Sequence, residues 1–211
     1  MSFPPRLRDG YRAFRSGRLP MEQSRYRELA EQGQAPETMV VGCCDSRVAP
    51  EVIFDAGPGE LFVVRNVANL VPPYSPDTNL HGVSAAVEYA VTVLRVRNIV
   101  VLGHARCGGI QAFADKAPPG DFIGRWMSLV TPAAKEIGPR EAAPETYLTR
   151  LEQASLVKSI ANLMTFPYVR AASERGELAL HGAYFNVASG ELEVLEPASG
   201  RFVAVANSAG S

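Results

Sequence analysis

The sequence predicts an α/β protein with a mostly parallel central β-sheet flanked by helices, an N-terminal helical arm and C-terminal edge strands. Short apolar runs rich in β-branched residues alternate with stretches of helical periodicity, and this order is typical of parallel sheets. A pattern around the turn Ser189-Gly190 indicates a hairpin, which adds strands at the sheet edge. The length of 211 residues suggests a single domain with appendages.

The individual elements follow from periodicity and from turn residues. The predicted strands are apolar runs bounded by glycine, proline or polar residues: 38–43, 60–65, 98–103, 178–187 and 192–195. A helix is predicted over 81–94, where valine and leucine recur at helical spacing. Helical pattern also dominates 107–175, with interruptions at several prolines.

The N-terminal region has a different composition from the rest of the chain. Its first 33 residues are expected to form two short helices with an arginine-rich outer face, separated at Pro20 and ended by Gly33. The predicted organisation is an N-terminal helical arm, a single α/β domain and a short disordered tail: 1–35, 36–205 and 206–211.

Composition excludes several classes of function. The 21 basic and 22 acidic residues give a net charge of −1, which provides no field for attracting nucleic acid or anionic lipid. No apolar stretch approaches the length of a membrane span. The three cysteines are an odd number and two are adjacent, so metal or thiol chemistry in a reducing compartment is favoured over disulfides. We expect a cytoplasmic protein that binds neither nucleic acid nor membranes.

Two clusters of metal-ligand residue types follow two predicted strands. The first strand ends in Cys43-Cys44-Asp45-Ser46-Arg47, and the third ends in His104-Ala105-Arg106-Cys107-Gly108-Gly109. Because the carboxyl ends of parallel strands meet at one edge of a sheet, we expect the two clusters to converge there. Two thiolates and one imidazole are a known ligand set for catalytic zinc, which keeps its fourth position open. Cys43, His104 and Cys107 supply that set.

The two clusters and the segments between them resemble those of a known enzyme family. CCDSRV and GHARCGG, with VVRNVANLVPPY and AAVEYAV between them, resemble the β-class carbonic anhydrases, whose signature is C-x-D-S-R followed by H-x-x-C. The resemblance covers about 34–109 closely and the final hairpin loosely. It implies one zinc ion per subunit and reversible hydration of carbon dioxide to bicarbonate and a proton by metal-bound hydroxide.

The resemblance also implies roles for individual residues. Cys43, His104 and Cys107 would be the metal ligands, and Asp45 and Arg47 would form a catalytic dyad. In that dyad, the carboxylate of Asp45 accepts a hydrogen bond and orients the attacking oxygen, while Arg47 keeps the carboxylate ionised and oriented.

Five further residues match the substrate pocket of the family by motif position. Phe62, Val67 and Tyr89 would form its apolar walls, and Gln34 and the Gly108 amide would donate hydrogen bonds to substrate oxygens. In this family, part of the pocket comes from a second subunit and N-terminal helices wrap around the partner. The resemblance therefore implies a dimer or a higher oligomer.

One position distinguishes two branches of the family. The bicarbonate-regulated branch carries a tryptophan three residues before its first zinc cysteine, where this sequence has Val40, and the single tryptophan here is Trp126. We therefore expect an open site of the plant type, without an inhibitory bicarbonate site near Arg65. Whether Cys44 makes the site sensitive to oxidation stays open from the sequence.

Two alternative functions remain open from the sequence. Relatives on this scaffold hydrolyse carbon disulfide or carbonyl sulfide, which are linear and apolar like carbon dioxide. A non-catalytic zinc or thiol module using Cys43 and Cys44 would instead have a closed site with four ligands. The remaining histidines, His81 and His181, are expected to make structural hydrogen bonds.

Overall fold

A six-stranded β-sheet organises the computed structural model, which describes residues 3–77, 79–118 and 120–206. Its strands are β1 (Thr38–Cys43), β2 (Leu61–Asn66), β3 (Asn98–His104), β4 (Ala179–Phe185), β5 (Leu192–Glu196) and β6 (Arg201–Ala204). The spatial order is β2-β1-β3-β4-β5-β6, in which the first four strands are parallel and the last two are antiparallel. The predicted fold class is confirmed.

Helices connect the strands and surround the sheet. They are α1 (Pro5–Ala13), α2 (Leu19–Gln32), α3 (Pro50–Ile53), α4 (Gly82–Glu88), α5 (Gly108–Ala114), α6 (Ile123–Met127), α7 (Thr131–Ile137), α8 (Tyr147–Leu163) and α9 (Pro167–Glu174). Among the described residues, none of these helices has the length and apolar character needed to cross a bilayer.

The N-terminal helices differ from the prediction at Pro20. The structure has no break there, because a π-helical segment, Phe14–Arg18, joins α1 to α2. Pro20 is the second residue of α2 and directly follows this π-helical segment. The predicted end at Gly33 is confirmed, with a φ of 82° that favours glycine.

Strand β6 was not predicted from the sequence. Its four residues, RFVA, are too few to form a recognisable pattern, and most of them are exposed at the sheet edge. Only Phe202 is anchored on the sheet, where its ring centroid lies 6.1 Å from that of Tyr184. The strand exists because β5 provides a pairing partner, which is a tertiary effect. The last predicted segment, 206–211, lies almost entirely outside the described residues.

The central strands are buried on both faces, which explains their continuous apolar sequences. Met39 and Val101 belong to a large cluster that includes Leu156 of α8, whereas Val40 and Leu102 pack in a smaller cluster on the other face. The parallel register brings the last residues of the neighbouring strands β1, β2 and β3 to one edge of the sheet. The chemistry-bearing loops leave from this edge.

The close approach of α8 to the sheet gives a stability prediction. A Cβ added at Gly182 would lie 2.8 Å from Leu156 Cδ2, 3.0 Å from Ile160 Cδ1 and 3.1 Å from Leu195 Cβ. We expect Gly182→Ala to lower the free energy of unfolding by about 1–3 kcal/mol, measured by urea denaturation. Gly82→Ala is the control, because its Cβ would have no described atom within 4 Å. Equal stability of the two variants would contradict the prediction.

Candidate metal centre

Three buried side chains converge at the carboxyl edge of the sheet. Cys43 is the last residue of β1, His104 is the last residue of β3, and Cys107 precedes α5. Their ligand atoms all lie within 4.8 Å of one another. Tetrahedral zinc places its sulfur and nitrogen ligands at about 2.0–2.3 Å, so this spacing is compatible with one shared ion.

A left-handed residue shapes the turn between two of these ligands. Arg106 has a φ of 58°, which sharply turns the chain after β3 and brings Cys107 back toward His104. A non-glycine residue in this region stores strain, and such residues cluster at functional sites. The approach of Cys107 to His104 therefore depends on a backbone conformation that the sequence does not predict.

The hydrogen bonding of the His104 imidazole suits a metal ligand. Its Nδ1 lies 3.0 Å from the carbonyl oxygen of Ala105, and because a carbonyl only accepts, Nδ1 carries the proton of this hydrogen bond. Nε2 is buried and has no hydrogen-bond partner among the described residues. An orphaned buried lone pair between two thiols is what a zinc ion would satisfy, so the residues fit the metal.

The two thiols are electrostatically different. A hydrogen bond from Cys107 lowers the pKa of Cys43, and His104 and the Asp45 and Ala68 amides lower it further. The same hydrogen bond, together with burial, raises the pKa of Cys107. Two thiolates without a cation would repel each other in a buried site, so the pair retains one proton. A divalent cation would displace that proton and bind both sulfurs.

Asp45 and Arg47 form a closed ion pair beside the three ligands. Arg47 Nε donates to Asp45 Oδ1 at 2.9 Å and Arg47 Nη2 donates to Oδ2 at 2.7 Å, while the Arg47 amide donates to Oδ1 at 3.0 Å. The guanidinium holds the pKa of Asp45 well below its usual range. Arg47 also donates to the Arg106 carbonyl at 3.1 Å, which ties the pair to the turn that carries Cys107.

Arg65 holds the loop after β1, a role that the sequence did not reveal. Its Nε donates to the Cys43 carbonyl and its Nη2 donates to the Asp45 carbonyl, both at 2.7 Å. Arg65 pairs in register with Gly42, so its side chain runs alongside the end of β1. No local pattern predicts this contact, because it depends on the pairing of two strands.

Glu152 and Tyr184 form a buried pair behind Cys107. Glu152 accepts a hydrogen bond from the Cys107 amide at 2.9 Å and another from the Tyr184 hydroxyl at 2.6 Å. Burial raises the pKa of Glu152, and burial together with Glu152 raises the pKa of Tyr184. A signal existed in the sequence: Glu152 lies on the apolar stripe between Leu148 and Leu156, where a carboxylate needs a buried partner.

The predicted pocket residues divide into two groups. Val67 and Gly108 lie next to the ligands: Gly108 follows Cys107, and a Cβ on the neighbouring Gly109 would approach Val67 Cγ1 to 2.9 Å. The structure therefore places one apolar side chain and one backbone amide beside the three ligands.

The other three pocket residues lie elsewhere in the chain. Phe62 pairs with Met39, four residues before the end of β1, which is about 13 Å along the strand. The Tyr89 ring centroid is 5.8 Å from that of Phe62, and Gln34 is an exposed residue before β1. Within one chain, these three residues therefore lie away from the candidate metal ligands.

The remaining histidines and cysteine lie outside the ligand group. His181 Nε2 lies 3.0 Å from Asn98 Oδ1, and His81 Nε2 lies 2.7 Å from Asp77 Oδ1, as expected for structural hydrogen bonds. Cys44 is exposed, unlike the adjacent Cys43.

A buried Cys-His-Cys group that could hold a metal ion lies at the carboxyl edge of a parallel sheet, with an ion-paired aspartate beside it. This arrangement is typical of the α/β metalloenzymes. Comparison with known proteins gives the family. The family model described as carbonic anhydrase matches residues 38–192. The chain belongs to the β-class carbonic anhydrases.

Individual relatives cover nearly the whole chain. A carbonic anhydrase of Pseudomonas aeruginosa is 40% identical over 204 residues, which are 94% of this chain and 90% of the relative. The solved structure of the β-carbonic anhydrase CcaA has a TM-score of 0.82 and 27% identity, covering 96% of this chain and 92% of its own. A structure from a study of two tetrameric β-carbonic anhydrases of Sordaria macrospora has a TM-score of 0.74 and 30% identity, covering 94% and 96%.

Proposed function

We propose that this chain catalyses the reversible hydration of carbon dioxide to bicarbonate and a proton, with one zinc ion per subunit held by Cys43, His104 and Cys107. The observation that carries the proposal is the convergence of these three donors beside an aspartate whose oxygens are both engaged by arginine. Bound zinc supplies Lewis acidity, which makes water acidic enough to react near neutral pH.

Asp45 acts as a fixed hydrogen-bond acceptor in this proposal. Its low pKa keeps the carboxylate ionised, so it accepts a hydrogen bond from the reacting water and orients the oxygen lone pair toward carbon dioxide. The two-point contact with Arg47 prevents rotation of the carboxylate. Two thiolates also weaken the positive charge of the site, which increases the need for such orientation.

Backbone contacts keep the ligands in place. Arg65 fixes the carbonyl groups of Cys43 and Asp45, so the first ligand and the acceptor move as one unit. Glu152 fixes the amide of Cys107 from the other side of the site. Such outer contacts orient ligands and reduce the reorganisation needed during reaction.

The proposed pocket combines residues of two chains. Val67 supplies an apolar wall and the Gly108 amide supplies a donor for the carboxylate-like oxygens of the product. Gln34, Phe62 and Tyr89 would reach the site only from a second copy, because they lie toward the opposite end of their own sheet. Carbon dioxide and bicarbonate are the proposed substrate and product.

Self-association is supported by the N-terminal helical arm. None of residues 3–32 is buried, and Leu7 and Tyr11, one helical turn apart, are each 58% exposed. We propose that this stripe packs on a second copy, in line with the tetrameric relatives of Sordaria macrospora.

We expect the double substitution of Leu7→Asp and Tyr11→Asp to reduce the molar mass measured by light scattering, whereas Arg12→Ala should retain it. An unchanged mass would contradict the role of the arm.

The contacts of Arg65 also favour the open, plant-type site. Nε and Nη2 of Arg65 donate to the carbonyls of Cys43 and Asp45, so two of its five N–H groups hold the loop after β1 and are not available to a bicarbonate ion beside Val40. Asp45 is paired with Arg47 and is not part of the ligand group. Inhibition of hydration by bicarbonate with a sigmoidal dependence would contradict this assignment.

Metal analysis together with stopped-flow hydration tests the proposed function. We expect one zinc ion per chain and rapid hydration of carbon dioxide. Sulfide release from carbon disulfide or carbonyl sulfide with negligible hydration would favour the hydrolase alternative. Stoichiometric zinc with neither activity would favour the non-catalytic module. Within the part of the chain that the structure describes, the ligand group has three donors, and Cys44 is exposed.

A further inference from the structure

The turn after β2 adopts an unusual backbone conformation next to the metal centre. Ala68 has φ 66° and ψ 23°, and Asn69 has a φ of 48°, so two successive non-glycine residues lie in the left-handed region. Both residues are buried. Such a conformation is costly and persists only where surrounding contacts hold it, often for a functional reason.

Asn66 makes the first set of holding contacts. Its side chain brackets the turn, because Nδ2 donates to the Leu70 carbonyl at 3.0 Å and Oδ1 accepts from the Leu70 amide at 2.8 Å. The Asn66 carbonyl accepts a hydrogen bond from the Cys44 amide at 2.9 Å. The turn is therefore attached to the loop that carries the first metal ligand.

Trp126 makes a separate contact from a distant part of the chain. Its indole Nε1 donates to the Val67 carbonyl at 2.7 Å, although the two residues are 59 positions apart. Gly109 allows this packing, since a Cβ there would lie 2.9 Å from Val67 Cγ1 and 3.5 Å from Met127 Sδ. The segment around α6 thus covers the turn directly.

The Val67 carbonyl and the Ala68 amide belong to one peptide unit. In a trans peptide, these two groups point in opposite directions, so an indole that holds the oxygen also determines where the N–H points. Ala68 and Cys43 pack in the same buried cluster. The peptide therefore lies between the indole and the cluster that contains the first metal ligand.

We propose that Trp126 is a positioning residue for the metal centre: its indole N–H fixes the Val67–Ala68 peptide, so that the turn stays attached to the loop after Cys43 and the Val67 side chain stays beside the site. Without this hydrogen bond, the turn and the loop that it holds gain freedom, which weakens the preorganisation of the first ligand. This inference rests on the metal centre proposed above.

A variant lacking only the indole donor tests the proposal. Trp126→Phe retains an aromatic ring but has no N–H, and we expect its zinc affinity, measured by chelator competition, to fall about fivefold to tenfold. With cobalt in place of zinc, the thiolate-to-metal charge-transfer absorption is expected to shift. Ser128→Ala is the matched control: it removes the hydrogen bond from Ser128 Oγ to the Arg125 carbonyl in the same segment without touching the turn.

A second measurement uses the wild-type protein. Trp126 is the single tryptophan, so its fluorescence reports the indole environment without further labelling. We expect removal of zinc by dipicolinate to shift the emission and restoration of zinc to reverse the shift. This readout decides the matter even where the phenylalanine variant does not fold.

The outcomes separate this inference from the proposed function. Wild-type chain that binds no zinc would overturn the metal centre itself. Wild-type chain that binds zinc, with a Trp126→Phe variant of equal affinity and equal cobalt spectrum, would overturn only the role of Trp126. Trp126 emission that is unaffected by zinc would do the same.

Discussion

Replacing Asp45 by asparagine is expected to lower kcat for carbon dioxide hydration by a factor on the order of 10², with zinc content unchanged. The amide lacks the negative charge that pairs with Arg47, so its orientation is no longer held by two charge-assisted hydrogen bonds. The amide oxygen is also a weaker acceptor for the reacting water. Stopped-flow kinetics and metal analysis on the same preparation measure both quantities.

The pKa of Asp45 also predicts how this loss of kcat depends on pH. A carboxyl whose folded pKa is depressed stabilises the folded chain above its ordinary pKa and loses that contribution only as the pH falls. Asp45 is therefore ionised throughout the neutral and alkaline range, and the loss of kcat is expected to be the same at about pH 7 and about pH 9.

A matched control is available in the same chain. Asp77 is also hydrogen-bonded to a basic side chain, His81, but it is exposed and lies outside the ligand group. Asp77→Asn should keep wild-type kcat and zinc content. Wild-type turnover in Asp45→Asn would remove Asp45 from the mechanism, and loss of zinc in that variant would mean that it acts as a ligand instead.

Replacing Cys107 by alanine is expected to abolish stoichiometric zinc binding and, with it, hydration activity. The variant loses one of three donors in a buried site and leaves His104 Nε2 and Cys43 as an incomplete pair. Two donors do not complete a stable zinc site in proteins. Atomic emission measurement after dialysis checks the loss, and circular dichroism checks that the fold remains.

Cys44→Ala provides the control for the cysteine variant. Cys44 is exposed, whereas Cys43 and Cys107 are buried with their sulfurs close to His104. We expect the alanine variant to bind one zinc ion per chain and to retain activity. Full zinc occupancy in Cys107→Ala, or loss of zinc in Cys44→Ala, would show that the ligand set is assigned wrongly.

Much of the architecture could be predicted because it depends on local pattern. The strand at 38–43 has the same bounds in the sequence prediction and in the structure, since a run buried on both faces is apolar at nearly every position. Strand β6 could not be predicted because its four residues depend on pairing with β5. At Pro20, a π-helical segment allowed the helical arm to continue where the local rule predicts a break.

The amino-acid sequence alone determined the residue types of the centre and the strand ends from which they come: Cys43 with Asp45 and Arg47, and His104 with Cys107. These motifs are readable because ligand chemistry and spacing are properties of a short segment. The tertiary structure alone decided which distant residues support the centre: Arg65 holds the loop after β1, and Glu152 holds the amide of Cys107. It also decided that Trp126 contacts the turn at Val67. Finally, it placed Phe62 and Tyr89 far along the sheet from the ligands of their own chain. Each of these contacts joins residues distant in sequence, and their geometry is set by strand register and helix packing, which no local pattern records.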